Sequence, residues 1–172
     1  MTELWDILDK DGNPTGIQRQ RRPFPEPEFD FEDGEYHLVV QVWILNSRGE
    51  FLISRRVPAK HWPLMWECTG GSALSGQTSL EAAIMEAKEE LGVDLNPKNG
   101  RLFSRFIKEG SQMIVDAWLF RQDIPIEKII LQPEETCDAM WASKEKIRQM
   151  LEAEQFIGYE FYPYLDELFN EA

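Results

Sequence analysis

The stretch from Thr69 to Val93 constrains this chain most, because a glycine-rich run there leads straight into a strongly patterned helix. Thr78 and Glu81 have the spacing of a capping box, and Gly92 stands where a helix ends. Between them Leu80, Ala83, Ile84, Ala87 and Leu91 repeat as one apolar stripe, so the helix predicted over 78–91 lies against a core. At about 100° per residue, Glu86, Glu89 and Glu90 fall on a band beside that stripe. Such a band is locally unfavourable. Like charges at i, i+4 cost roughly 0.2–0.5 kcal/mol, and carboxylates in the last turns oppose the helix dipole at about 0.3–1 kcal/mol. Lys88, the one nearby cation in sequence, points away. A hard divalent cation would remove the conflict, since Mg2+ prefers carboxylate oxygens and keeps several waters. A solvated acidic face is the other reading, and the helix alone leaves the two level. Upstream, Gly70, Gly71 and Gly76 let the backbone turn tightly and approach a ligand. A glycine-rich loop is a weak signal by itself and a stronger one when it feeds an acidic helix.

Residues 71–93, GSALSGQTSLEAAIMEAKEELGV, resemble the Nudix box. That motif reads Gly, five residues, Glu, seven residues, Arg-Glu, an aliphatic, any residue, Glu-Glu, any residue, Gly, aliphatic. Gly71, Glu86, Ala87, Glu89, Glu90, Gly92 and Val93 match, with Ala87 small for its position. Two positions depart: Gln77 stands where the motif has Glu, and Met85 where it has Arg. The flanks agree, with HLVVQVWIL, then GEFLISRR, then a loop into Gly70-Gly71. The opening ELWDILDKDGNPTG is similar to the branch related to isopentenyl diphosphate isomerase, so the resemblance spans about residues 3 to 142.

The resemblance implies an α/β (α+β) fold with a mixed β-sheet between helices. It implies hydrolysis of a diphosphate linkage in a nucleoside diphosphate derivative or similar small organic diphosphate. It also implies Mg2+ or Mn2+ held by Glu86 and Glu90, with Glu89 a ligand or a water-orienting base and Gly70 offering its carbonyl. Glu135 or Asp138 would supply a further acid after the box. Arg55, Arg56 and Lys60 lie near the loop in sequence and would grip phosphates, or equally be ordinary surface cations. The departures bear on orientation: in the family the box Arg positions a catalytic glutamate by a salt bridge, which Met85 cannot make. Met85→Arg is therefore expected to leave turnover equal or higher unless another group supports Glu89. Two alternatives remain: a non-catalytic binding module of Nudix fold, and an isopentenyl diphosphate isomerase-like enzyme. In the isomerase a Cys is expected five residues after the box-approach Trp, but Gly71 stands there, and Cys68 reads as a small apolar residue.

The rest of the chain sets bounds. With 172 residues it fits a single domain, 1–172. Its net charge of -13 argues against a nucleic-acid polymer as partner, so an acidic substrate must be met by local cations or a metal. No apolar run approaches the ~20 residues of a membrane span. Two distant cysteines and an N-terminus without a signal pattern point to a cytoplasmic protein. A homodimer is left open.

Strands are expected over 4–8, 37–45, 51–55, 101–107, 113–120 and, shortest, 139–142. Residues 57–66 read as a loop and 18–36, with Pro23, Pro25 and Pro27, as a long surface segment over the active site or a plain linker. Helices are expected over 143–154, capped by Ser143, and 162–169.

Overall fold

The computed structural model describes residues 3–22 and 31–172; the proline-rich centre of the 18–36 segment lies outside these. Strand β1 (Leu4–Leu8) turns at Gly12 into β2 (Pro14–Gln20), a two-stranded antiparallel hairpin. β2 was not expected from the sequence. It is almost wholly exposed and carries no apolar alternation, so only pairing with β1 makes it a strand.

The main sheet centres on β3 (His37–Leu45), whose β-branched and aromatic run is covered on both faces. One edge of β3 pairs in parallel along its whole length with β8 (Met113–Arg121), which pairs antiparallel with β7 (Gly100–Lys108). The other edge is shared by two strands. β6 (Thr69–Ser72) pairs with Val39 to Val42, and β4 (Glu50–Arg56) pairs only with Ile44 and Leu45. β4 then continues to β5 (Trp66–Glu67) and to β9 (Thr136–Ser143), which is longer than the sequence pattern indicates. The sheet therefore forks beside the middle of β3.

β6 corrects the reading of residues 69–72 as loop. Gly70 has φ 157°, and a Cβ there would collide with the Val40 carbonyl. Glycine lets the two backbones come this close, a known use of glycine within strands.

Helix α1 (Ser79–Leu91) packs on one face of the sheet, with Ala82, Ala83, Ala87 and Leu91 buried against Val40, Val42, Ile44 and Phe120. Its small side chains let it lie close. The opposite face is covered by α2 (Lys144–Glu152) and α3 (Leu165–Phe169), packed on Trp43, Leu45, Phe51 and Leu119. The fold is thus a mixed sheet between helices. Ser143 caps α2 by accepting from the Lys146 amide, as its sequence position predicts. α3 starts three residues later than expected because Pro163 disfavours helical backbone at Tyr162. No helix among the described residues is long and apolar enough to cross a membrane.

Candidate active site

A cavity of about 300 Å³ opens at the fork of the sheet, between the Gly70–Gly71 backbone, the acidic band of α1 and the ends of β4 and β5. Local sequence chemistry fixes α1 there. The Thr78 hydroxyl accepts from the Glu81 amide at 3.2 Å while the Glu81 carboxylate accepts from the Thr78 amide at 2.8 Å. Gly92, at φ 69°, closes the other end by donating to Ala87 and Lys88 carbonyls. The loop before α1 is tied to the N-terminal hairpin. Asp6 accepts from the Ser75 hydroxyl and the Gly76 amide, each at 2.7 Å, which holds its carboxyl below the usual range.

Glu86, Glu89 and Glu90 all line this cavity. Glu90 is buried and accepts from the Thr69 hydroxyl. Burial raises its pKa, and the Gly70 amide and Thr69 oppose that rise. The Glu86 carboxylate lies against Gly71, where any Cβ would strike it. The box glycine thus makes room for the box carboxylate. Burial, then the charges of Glu90 and Glu89, push the Glu86 pKa up to about 8. Lys88 points out to solvent and pairs with Asp94 at 2.8 Å, so the partial relief of Glu86 and Glu90 comes from Lys60 instead.

The donor set fits Mg2+ or Mn2+: it is all oxygen and rich in acid, and Glu86 and Glu90 are desolvated. Among the described residues no three His, Cys, Asp or Glu side chains already converge as a cage. A preformed cage is not what Mg2+ requires, because it keeps several waters and takes only one or two carboxylates.

The expected phosphate grips divide. Arg56 and Lys60 line the cavity, but both are engaged. Arg56 donates two bonds of 2.8 Å to the Glu67 carboxylate and one of 2.7 Å to the His61 carbonyl. Lys60 pairs with Glu135. Arg55 does not line the cavity; neighbouring strand residues face opposite ways, and it donates to the Leu64 carbonyl at 2.9 Å. Of the two acids after the box, Glu135 lines the cavity, whereas Asp138 accepts from its neighbour Ala139 at the surface.

Two side chains that sequence reasoning missed stand in the cavity. Glu67 is desolvated beside Arg56, and burial, followed by smaller charge effects, brings its pKa up to about 7. Lys108 comes from β7 and rests on the Phe161 ring, 2.9 Å from its centroid. Phe161 in turn meets Trp62 edge-on at 4.9 Å. Arg21, at the rim, pairs with Glu3 at 2.9 Å. Among the described residues, Lys108 is the cavity cation without a carboxylate within salt-bridge distance. No local pattern marks Lys108 in the sequence. Cys68 is buried in the aromatic-rich core, and burial drives its thiol pKa far up, in keeping with a small apolar residue.

The NUDIX domain model matches residues 35–165. The chain belongs to the Nudix family. An uncharacterised Nudix hydrolase of Listeria monocytogenes is 36% identical over 171 residues, covering 98% of this chain and 94% of that protein. An isopentenyl-diphosphate Delta-isomerase of Cutibacterium acnes is 28% identical over 138 residues, or 74% of this chain and 66% of that one. In fold, the Deinococcus radiodurans protein DR0079 superimposes with a TM-score of 0.73 at 22% identity, covering 96% of this chain and 98% of its own. Nudix hydrolases generally use divalent metals such as Mg2+ or Mn2+ and act on small molecules. The cavity at the fork lies within the matched Nudix residues apart from its rim at Glu3 and Arg21.

Proposed function

We propose that this Nudix protein is a metal-dependent hydrolase that cleaves the diphosphate linkage of a nucleoside diphosphate derivative or similar small organic diphosphate. The observation that carries this reading is the meeting of Glu86, Glu89 and Glu90 with the Gly70–Gly71 backbone in one cavity. Glu86 and Glu90 would hold Mg2+ or Mn2+ together with the Gly70 carbonyl, and Glu89 would be a further ligand or orient the attacking water. When bound, the cation neutralises phosphate charge and lowers the pKa of its water. The protein's share is positioning and charge stabilisation, which is most of what phosphoryl transfer requires.

Lys108 is the residue we assign to the substrate's anionic oxygens, because Arg56 and Lys60 already hold Glu67 and Glu135. Trp62 and Phe161 offer aromatic surface to the organic group. Lys108→Ala should raise KM about tenfold with little change in kcat, the size of one lost charge-assisted hydrogen bond. An unchanged KM would remove Lys108 from the binding set.

The test of the activity is a screen of nucleoside di- and triphosphates, nucleotide sugars and dinucleoside polyphosphates with Mg2+ and Mn2+. Metal-dependent release of a phosphate-bearing product is expected. The isomerase relatives motivate a second arm, product analysis with isopentenyl diphosphate. Isomerised product without hydrolysis would replace our reading, and metal binding without turnover of any substrate would favour a binding module.

A further inference from the structure

The two departures from the Nudix motif touch one another. Gln77 Nε2 donates to Met85 Sδ at 3.0 Å, while Gln77 Oε1 accepts from the Leu74 amide at 2.8 Å. One glutamine thus bridges the loop before α1 and the helix itself, one residue before Glu86 and four before Glu89. Each motif residue alone would be wrong beside its present neighbour. A carboxylate at 77 has no proton to give the sulfur. A guanidinium at 85 brings donors to the Gln77 Nε2 group, which now donates to the sulfur and has nothing to accept with. Together, Glu and Arg at these touching positions would form an ion pair in the same place.

We propose that Gln77 and Met85 act as one unit, a neutral amide–thioether pair that replaces the motif's charged residues and positions Glu86 and Glu89. The proposal rests on the hydrolase reading. On this reading Met85 is not simply a defect. A lone Arg at 85 would find its acid not at 77 but in the carboxylates that serve the cation, Glu89 being one helical turn away. The neutral pair leaves those carboxylates to the metal.

The test is a double-mutant cycle on the full chain: Met85→Arg, Gln77→Glu and both together. It reads melting temperature, Mn2+ affinity by calorimetry, and kcat and KM on the substrate found in the screen. Each single change should lower kcat about tenfold with KM held, and Met85→Arg should also weaken Mn2+ binding about tenfold. The double variant should return both quantities to within about threefold of wild type while all four forms melt alike, which a merely structural role would not give. Single effects that multiply in the double variant would overturn the proposal. So would a Met85→Arg form that equals or exceeds wild type in both readouts. If wild type turns over no substrate, the hydrolase reading fails, and the Mn2+ titration still decides the pair: restored affinity in the double variant upholds it, unrestored affinity ends it.

Discussion

The carboxylates of the N-terminal hairpin and those of the cavity are the same chemical groups in opposite circumstances. On the hairpin side Glu35 takes a forked contact from Arg19 at 2.8 and 3.1 Å, and its pKa is lowered chiefly by that contact. Asp6 is held by the Ser75 and Gly76 donors and is lowered likewise. In the cavity Glu86 and Glu90 are raised by burial, and neighbouring acids add to it. The chain's overall acidity explains neither set. Asp6 ties the hairpin to the loop before α1, and Glu35 anchors Arg19 of β2 from outside the hairpin. In the cavity burial outweighs the donors present, and on the proposed reading a cation would complete the site.

Substitution should separate the two regions most sharply. Glu86→Gln and Glu90→Gln should each cut turnover by about 100-fold or more. Both should leave the metal-free melting temperature unchanged or raised, because each replaces a carboxyl that is costly to ionise where it sits. Glu35→Gln should do the reverse. Turnover should hold, and stability should fall by about 1 kcal/mol, or roughly 2–4 °C for a chain of this size. A metal-free protein destabilised by Glu86→Gln more than by Glu35→Gln would erase the distinction.

Acid should weaken the hairpin side through a histidine. His37 begins β3 beneath the hairpin and stacks on the Trp5 indole at 4.5 Å and 9°. Burial lowers its pKa from 6.5 to about 4. The folded state therefore binds its proton less readily than the unfolded state. Stability from the neutral imidazole is complete above about 6.5 and is lost as pH falls through that window toward 4. At 1.36 kcal/mol per pKa unit the loss is at most about 3 kcal/mol. Denaturant titrations between pH 7 and 4 should show this decline in wild type and a shallower one in His37→Phe. Identical slopes would show that another group carries the acid sensitivity.

What the sequence made legible follows the same division. α1, its caps and its acidic band could be read because each depends on spacing within one helix, and Thr78, Glu81 and Gly92 stand where that spacing puts them. β3, β7 and β8 were legible from β-branched and aromatic content. Pairing between distant strands was not. Nothing local says that β3 shares one edge between β6 and β4, so the fork that makes the cavity is a tertiary fact. Lys108 reaches the cavity only through β7's place in the sheet. Arg55 and Arg56 are adjacent, and which one faces inward depends on a register that sequence alone does not set. Gln77 and Met85 were visible as two departures, but their contact needed the fold.

If the α1 carboxylates hold a divalent cation, thermal stability must respond to the metal. A ligand at 100 times its Kd stabilises by about 2.7 kcal/mol. Saturating Mg2+ or Mn2+ should therefore raise the wild-type melting temperature by about 5–10 °C. The shift should shrink strongly in Glu86→Gln and Glu90→Gln and persist in Glu35→Gln. A wild-type melting curve insensitive to millimolar Mg2+ and Mn2+, or a shift that survives in both cavity variants, would rule out the cation site on α1.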